Sequence, residues 1–190
     1  SDHLSKEERD EYLDIIIRES DRLASLATNV LNLSKIENQT ILTDVAPFDL
    51  TEQIRQVIVG LEPKWSEKGL DVVVDLDECR YLGNEALLYQ VWLNLIDNAI
   101  KFTPEGGRVM VQAAAINGTL QLDTIDNGPG IPEAERETLG VAFERGSGGA
   151  RAEGTGLGLS LVRALAALHG GALSFHEAPG GGALVRITLP

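Results

Sequence analysis

Apolar residues in this chain recur with different periods, and the periods divide it into elements. Between residues 7 and 37, Leu13, Ile17, Ser20, Ala24, Ala27, Leu31 and Ser34 alternate steps of four and three, with Ile16, Leu23 and Val30 seven apart beside them. That is a heptad pattern on one long helix, with a face wide enough for a four-helix bundle. One helix cannot bury both lines against its own domain, so the pattern predicts a partner helix from another chain. The helix ends near Glu37-Asn38, and a polar segment leads to Pro47-Phe48-Asp49-Leu50-Thr51.

A second helix is expected over roughly 50 to 62, capped by Asp49 or Thr51, with Leu50, Ile54, Val57, Ile58 and Leu61 on one face and Pro63 at its end. Gly69 precedes Leu70 to Leu76, a strand-like run alternating around Asp71, Val73 and Asp75. From 84 to 102 helical spacing returns: Leu87, Leu88, Val91, Trp92, Leu95, Ile96 and Ala99 form a core face, opened by Asn84 and Glu85 and stopped before Pro104.

Residues 108 to 116 and 119 to 125 flank Asn117-Gly118, the strongest short hairpin signal. A short helix is expected over 133 to 140. Residues 145 to 156, rich in glycine, predict a mobile lid without regular structure. Helix then resumes over 156 to 169, closed by Gly170-Gly171, and strands 173 to 176 and 184 to 189 pair around Gly180-Gly181-Gly182. Together these predict an α/β fold of α+β two-layer type, a mixed, antiparallel-rich sheet with three helices on one face.

Composition narrows the partners. With 190 residues and 43% hydrophobic content the chain supports one large domain, or one ordinary domain with an appendage. A net charge of −13 argues against nucleic acid and against an anionic membrane surface. Any phosphate site is therefore local, built from a few cations and backbone N–H groups. The single Cys79 forms no internal disulfide, and no apolar run reaches the length of about 18 residues needed to cross a bilayer, so a cytoplasmic setting is expected.

Three features carry chemistry. On the helix over 84 to 102, Asn94, Asn98 and Lys101 are four and three residues apart and share one stripe; two carboxamides and an ammonium suit a hydrated cation and a polyphosphate. Asp126 ends a strand and is followed by Gly128 and Gly130. A buried aspartate there suits an exocyclic amine, and the glycines let backbone approach a flat ring. Gly154-Thr155-Gly156-Leu157-Gly158-Leu159 opens a helix, whose N–H groups favour an oligophosphate. Neither a P-loop nor a G-x-G-x-x-G dinucleotide site is present.

In this order the motifs resemble the catalytic ATP-binding domain of sensor histidine kinases. Asn94 to Thr103 is similar to their N box and Asp126 to Pro132 to the first glycine box. Phe143-Glu144-Arg145-Gly146 is similar to the F box and Gly154 to Leu159 to the second glycine box. Leu31 to Glu37 resembles the end of the second helix of the dimerisation and histidine-phosphotransfer domain.

The resemblance implies a Bergerat-type ATP fold over residues 41–190, preceded by half a dimerisation hairpin over residues 1–40. It implies ATP and Mg²⁺ as ligands, with Asn98 on the metal and Asn94 supporting it. Lys101 would contact phosphate, Phe102 would lie against the nucleotide, and Asp126 would take the adenine amine beside Gly128 and Gly130. Ile131 and Leu157 would line the ring, Arg145 would position the γ-phosphate, and Gly154, Thr155, Gly156 and Gly158 would close over it. The implied partners are ATP and ADP, a response-regulator receiver domain and a second kinase subunit, joined as a homodimer through residues 7–37.

The family's acceptor-histidine helix has no counterpart in the sequence: His3 lacks the flanking pattern, and His169 and His176 read as structural. The expectation is a kinase fragment that binds nucleotide without autophosphorylating. Two rivals compete with it. A GHKL ATPase would need a water-activating glutamate where Asn94 stands. A non-catalytic nucleotide-sensing scaffold would fit the missing acceptor, but not the retained Asn98, Lys101 and Arg145.

Overall fold

In the computed structural model, residues 4–139 and 157–190 are described. Helix α1 (Lys6–Glu37) starts at Ser5, whose hydroxyl accepts from the Glu8 N–H while the Glu8 carboxylate accepts from the Ser5 N–H. This reciprocal cap satisfies two otherwise unpaired donors. Along most of α1 the heptad lines face solvent, with Ile16, Ile17, Leu23 and Leu31 all exposed. Burial comes at its end, where Leu33 and Ile36 pack as α1 runs beside α5 (Leu157–Leu168).

The remaining elements are β1 (Ala46–Asp49), α2 (Leu50–Gly60), α3 (Glu62–Glu67), β2 (Asp71–Leu76), β3 (Arg80–Gly83), α4 (Glu85–Phe102), β4 (Arg108–Ile116), β5 (Thr119–Asp126), β6 (Ala172–Glu177) and β7 (Ala183–Leu189). The main sheet runs β2-β4-β5-β7-β6, with β2 parallel to β4 and every other pair antiparallel. Period-two alternation turns Val109, Val111, Leu120, Leu122, Val185 and Ile187 towards α2, α4 and α5, and the core forms there around Trp92, Leu88, Leu95 and Ile96. The opposite face is more polar; Arg186 makes two 2.8 Å bonds to Asp123 across β5 and β7. This is the expected mixed, antiparallel-rich sheet with helices on one face.

Most expected boundaries hold within a residue or two. Asn117 (φ 51°) and Gly118 (φ 78°) both adopt positive φ, as a two-residue hairpin turn between β4 and β5 demands. Asp49 caps α2 through Glu52 N–H, whereas Thr51 is buried and bonds instead to Asp77 O and Cys79 N–H.

Three details differ from the sequence expectation. Pro63 does not terminate a helix but sits in the first turn of α3, where its missing N–H leaves nothing unpaired. The polar stretch before α2 contains β1, which pairs with β3 in a separate two-stranded sheet despite Pro47, an edge position that tolerates the lost donor. Over the expected helix 133 to 140, the described residues 133–139 form only a 3₁₀ turn at Glu133–Glu135. The expected lid over 145 to 156, Arg145, Gly154, Thr155 and Gly156 lie outside the described residues, as does His3.

Candidate functional site

Helix α4 is fixed at both ends. Asn84 caps its start, its Oδ1 accepting from Leu87 N–H at 3.0 Å. At its end the Lys68 ammonium donates to the carbonyls of Ile100, Lys101 and Thr103 at 2.7, 3.1 and 2.5 Å. A cation at a helix C-terminus meets both the unpaired carbonyls and the negative end of the dipole. The turn carrying Lys101 and Phe102 is thus held from outside the helix.

Within α4, Asn94 and Asn98 are half-buried, while Lys101 is exposed with its Nζ 5.7 Å from the Phe102 ring centre. Asn94 Nδ2 donates to Gln90 O at 2.8 Å, which turns Oδ1 towards the start of α5. There Gly158 leaves room: a Cβ at that position would stand 2.9 Å from Asn94 Oδ1. Leu157 opens α5.

Facing α4 from the sheet is Asp126, 4% exposed at the end of β5. Its Oδ1 accepts from Gly128 N–H at 2.9 Å and from Ala183 N–H at 3.4 Å, so that oxygen is held from two chain segments. Gly128 brings the loop against the end of α4: a Cβ there would lie 2.6 Å from Phe102 O. Behind Asp126, Gly182 at φ 92° packs so closely on the Asp126–Asn127 backbone that no side chain fits.

Between these walls lies a pocket open to solvent, lined by Leu95, Asn98 and Ala99 of α4, Thr124 and Asp126 of β5, Leu159 of α5, Phe175 of β6 and Val185 of β7. Apolar walls with one buried carboxylate and one carboxamide suit a flat heteroaromatic ring bearing an amine. Of the residues expected from sequence, the cavity brings together Asn98 and Asp126, with Asn94 one turn away on α4. Ile131 is buried in the hydrophobic core and is not among the residues lining the cavity. Phe102 is also buried, Gly130 adopts a φ of 75°, and Lys101 lies at the outer end of α4. Sequence reasoning missed Thr124, Phe175 and Val185. For Thr124 the signal was available, since stepping back two residues from Asp126 along a strand returns to the same face.

His169, at the end of α5, is buried between helices. Its Nδ1 lies 2.8 Å from Leu165 O and its Nε2 accepts from Asn84 N–H at 3.2 Å, which sets the tautomer with the proton on Nδ1. Burial pushes its pKa below the ordinary 6.5, against a smaller opposing effect of the Leu165 carbonyl. Asn84 in turn donates to Thr43 O, so the α4 cap joins α5 to the segment after α1.

Residues 83–190 match the family of histidine kinase-, DNA gyrase B- and HSP90-like ATPases. The chain belongs to that family. Its relatives are sensor kinases: it is 37% identical over 183 residues to histidine protein kinase DivJ of Caulobacter vibrioides, covering 95% of this chain and 31% of DivJ. It is also 35% identical over 195 residues to the sensory/regulatory protein RpfC of Xanthomonas campestris, covering 96% of this chain and 27% of that protein.

Among solved structures, full-length ShkA in complex with AMPPNP superimposes with a TM-score of 0.81 at 32% identity, covering 99% of this chain and 40% of ShkA. Histidine kinase ThkA in complex with response regulator protein TrrA gives a TM-score of 0.80 at 27% identity, covering 99% of this chain and 53% of that one. The chain thus spans about a third of the length of its curated relatives, and it carries the ATPase-type domain of a histidine kinase.

Among the described residues no three His, Cys, Asp or Glu side chains gather as a metal site, and no helix is long and apolar enough to cross a membrane.

Proposed function

We propose that this chain binds Mg-ATP and positions its γ-phosphate for transfer to a histidine on a kinase helix outside these residues, for relay to a response-regulator receiver domain. The observation that carries this reading is the pairing of Asp126 with Asn98 across one apolar cavity. Asp126 accepts the adenine 6-amino group, and Leu95, Ala99, Phe175 and Val185 enclose the ring. Asn98 and Asn94 face the phosphates, with Lys101 further along the same stripe and Arg145 at the γ-phosphate. Gly154, Thr155, Gly156, Leu157 and Gly158 cover the nucleotide.

The donor set fits Mg²⁺. Neutral carboxamide oxygens on one helix suit an ion that keeps several waters and takes its remaining ligands from phosphate, and no acidic cage is required. Asn98 is the direct ligand and Asn94 its support; the ion, when bound, neutralises charge on the phosphate oxygens. The protein's part in the transfer is then alignment and charge stabilisation. Asn94 offers no general base for hydrolysis, which favours transfer to a histidine over ATP hydrolysis. The kinase ShkA, solved with AMPPNP, and ThkA, solved with response regulator TrrA, support the nucleotide and the receiver partner.

Residues 1–40 supply the second helix of a dimerisation hairpin and residues 41–190 the catalytic domain. The exposed heptad lines over 7–37 pair with helices of a second subunit.

Calorimetric titration of Mg-ATP tests the site. Asp126→Asn should weaken binding by roughly 10- to 100-fold, the scale of one buried charged hydrogen bond. Asn98→Ala should remove mainly the Mg²⁺ dependence. Parent-like binding by Asp126→Asn would refute the adenine role. Mixing the chain with a fragment that carries an acceptor-histidine helix should move phosphate onto that fragment; bound ATP without transfer would leave only a nucleotide-sensing scaffold.

A further inference from the structure

Three threonines are buried among the described residues: Thr51, Thr103 and Thr124. Two have their hydroxyls occupied. Thr51 Oγ1 donates to Asp77 O and accepts from Cys79 N–H, and Thr103 Oγ1 donates to Ala99 O. Thr124, 1% exposed, makes no side-chain hydrogen bond to any described residue, yet its hydroxyl is not sealed in the core. It lines the cavity that also holds Asp126 and Asn98.

The surroundings of Thr124 make a hydroxyl there an odd choice on packing grounds alone. Its strand partners are Val111 on β4 and Val185 on β7, and the preceding residues on the same face of β5 are Leu120 and Leu122. Valine has the same shape, fits a central strand as well and carries no polar group to desolvate. A hydroxyl that makes no protein hydrogen bond adds nothing to folding that a valine methyl would not, so its presence is informative where it opens onto a ligand cavity. Position 124 is two residues before Asp126, so the two side chains leave the strand on the same face.

Building on the proposed nucleotide site, we infer that Thr124 is a specificity-determining residue, its hydroxyl donating to a ring nitrogen beside the amine that Asp126 accepts. The contact is direct or passes through one bound water. Two neighbouring groups of opposite character, an acceptor for the amine and a donor for the adjacent nitrogen, together describe adenine more narrowly than the carboxylate does alone. Each unmatched edge leaves a buried polar group unpaired, which is how hydrogen-bonding sites reject near-isosteres.

The test compares the 190-residue chain with Thr124→Val and Thr124→Ser, titrating Mg-ATP, 1-deaza-ATP and 7-deaza-ATP by calorimetry and melting each protein without nucleotide. The parent should bind one of the deaza analogues about tenfold more weakly than ATP, the effect of one hydrogen bond. Thr124→Val should lose about tenfold in ATP affinity, bind that analogue and ATP alike, and melt no lower than the parent. Thr124→Ser should keep the parent's discrimination.

If Thr124→Val still discriminates as the parent does, or melts lower with ATP affinity unchanged, the hydroxyl is structural and the inference fails. Absence of nucleotide binding by the parent would instead refute the function proposed above, and this inference with it.

Discussion

The carboxamide oxygen of Asn94 and the bare Cα of Gly158 share a space that leaves no room for a methyl group, 2.9 Å being all that separates Oδ1 from a would-be Cβ. The contact joins the helix that carries Asn98 to the first turn of α5. Gly158→Ala is therefore expected to keep the fold, since alanine favours helix and the obstructing atom ends a side chain that can turn. It should nonetheless weaken Mg-ATP by roughly tenfold, because Asn94 must leave its position, a change worth about 1.4 kcal/mol. Calorimetry beside thermal melting checks both halves; unchanged affinity would show that Asn94 and Gly158 do not act together.

Lys68 lies outside every motif, yet its ammonium closes the C-terminal end of α4 through three carbonyls. Lys68→Met keeps the apolar stem and removes the charge. The expected loss is about 1–3 kcal/mol of folding stability, the range for charge-assisted bonds at a helix end. Urea unfolding measures it, and a loss well below this range would mean that water replaces the ammonium without cost.

His169 predicts a pH dependence with a defined sign. Its folded pKa lies below the ordinary 6.5 because burial disfavours the cation. The unfolded chain therefore takes up this proton first as pH falls. Its contribution to stability is complete above 6.5 and is lost as pH drops from there towards the folded value. Protonation at Nε2 also removes the acceptor used by Asn84 N–H. Melting temperatures recorded between pH 7.5 and 5 should fall more steeply for the parent than for His169→Gln; parallel curves would overturn the assignment.

The exposed lines of α1 predict self-association. Leu23, 63% exposed, stands on the second heptad line, and Leu23→Glu would place a charge in any helical seam formed there. Sedimentation should show a concentration-dependent dimer for the parent and a monomer for Leu23→Glu. Equal mass for both proteins would remove residues 7–37 as the dimer contact.

Period and punctuation made much of this fold legible. The apolar face of α4, the Asn-Gly turn between β4 and β5, and the glycines closing α5 are local signals, and local structure follows them. Elements held mainly by distant contacts were harder to read. β1 is four residues long and contains a proline, so only its pairing with β3 makes it a strand. Among the candidate site residues, Asn94, Asn98 and Lys101 were legible from their four-and-three spacing on one helical stripe, and Asp126 from its place at a strand end before Gly128 and Gly130. Phe175 and Val185 were not, since a residue that lines a pocket and one that fills a core have the same sequence signature. Lys68 was invisible for another reason: its partners are carbonyl oxygens, which every residue has.

β2 and β4 run parallel, and a parallel pair cannot be closed by a tight turn. The intervening connection is α4 itself, with β3 before it. β2 therefore reaches the sheet edge through a crossover that contains the helix bearing Asn94, Asn98 and Lys101. The helix that carries Asn94, Asn98 and Lys101 is thus also the crossover that joins the two parallel strands, so a change that loosens its packing acts on the sheet edge and on those three residues together.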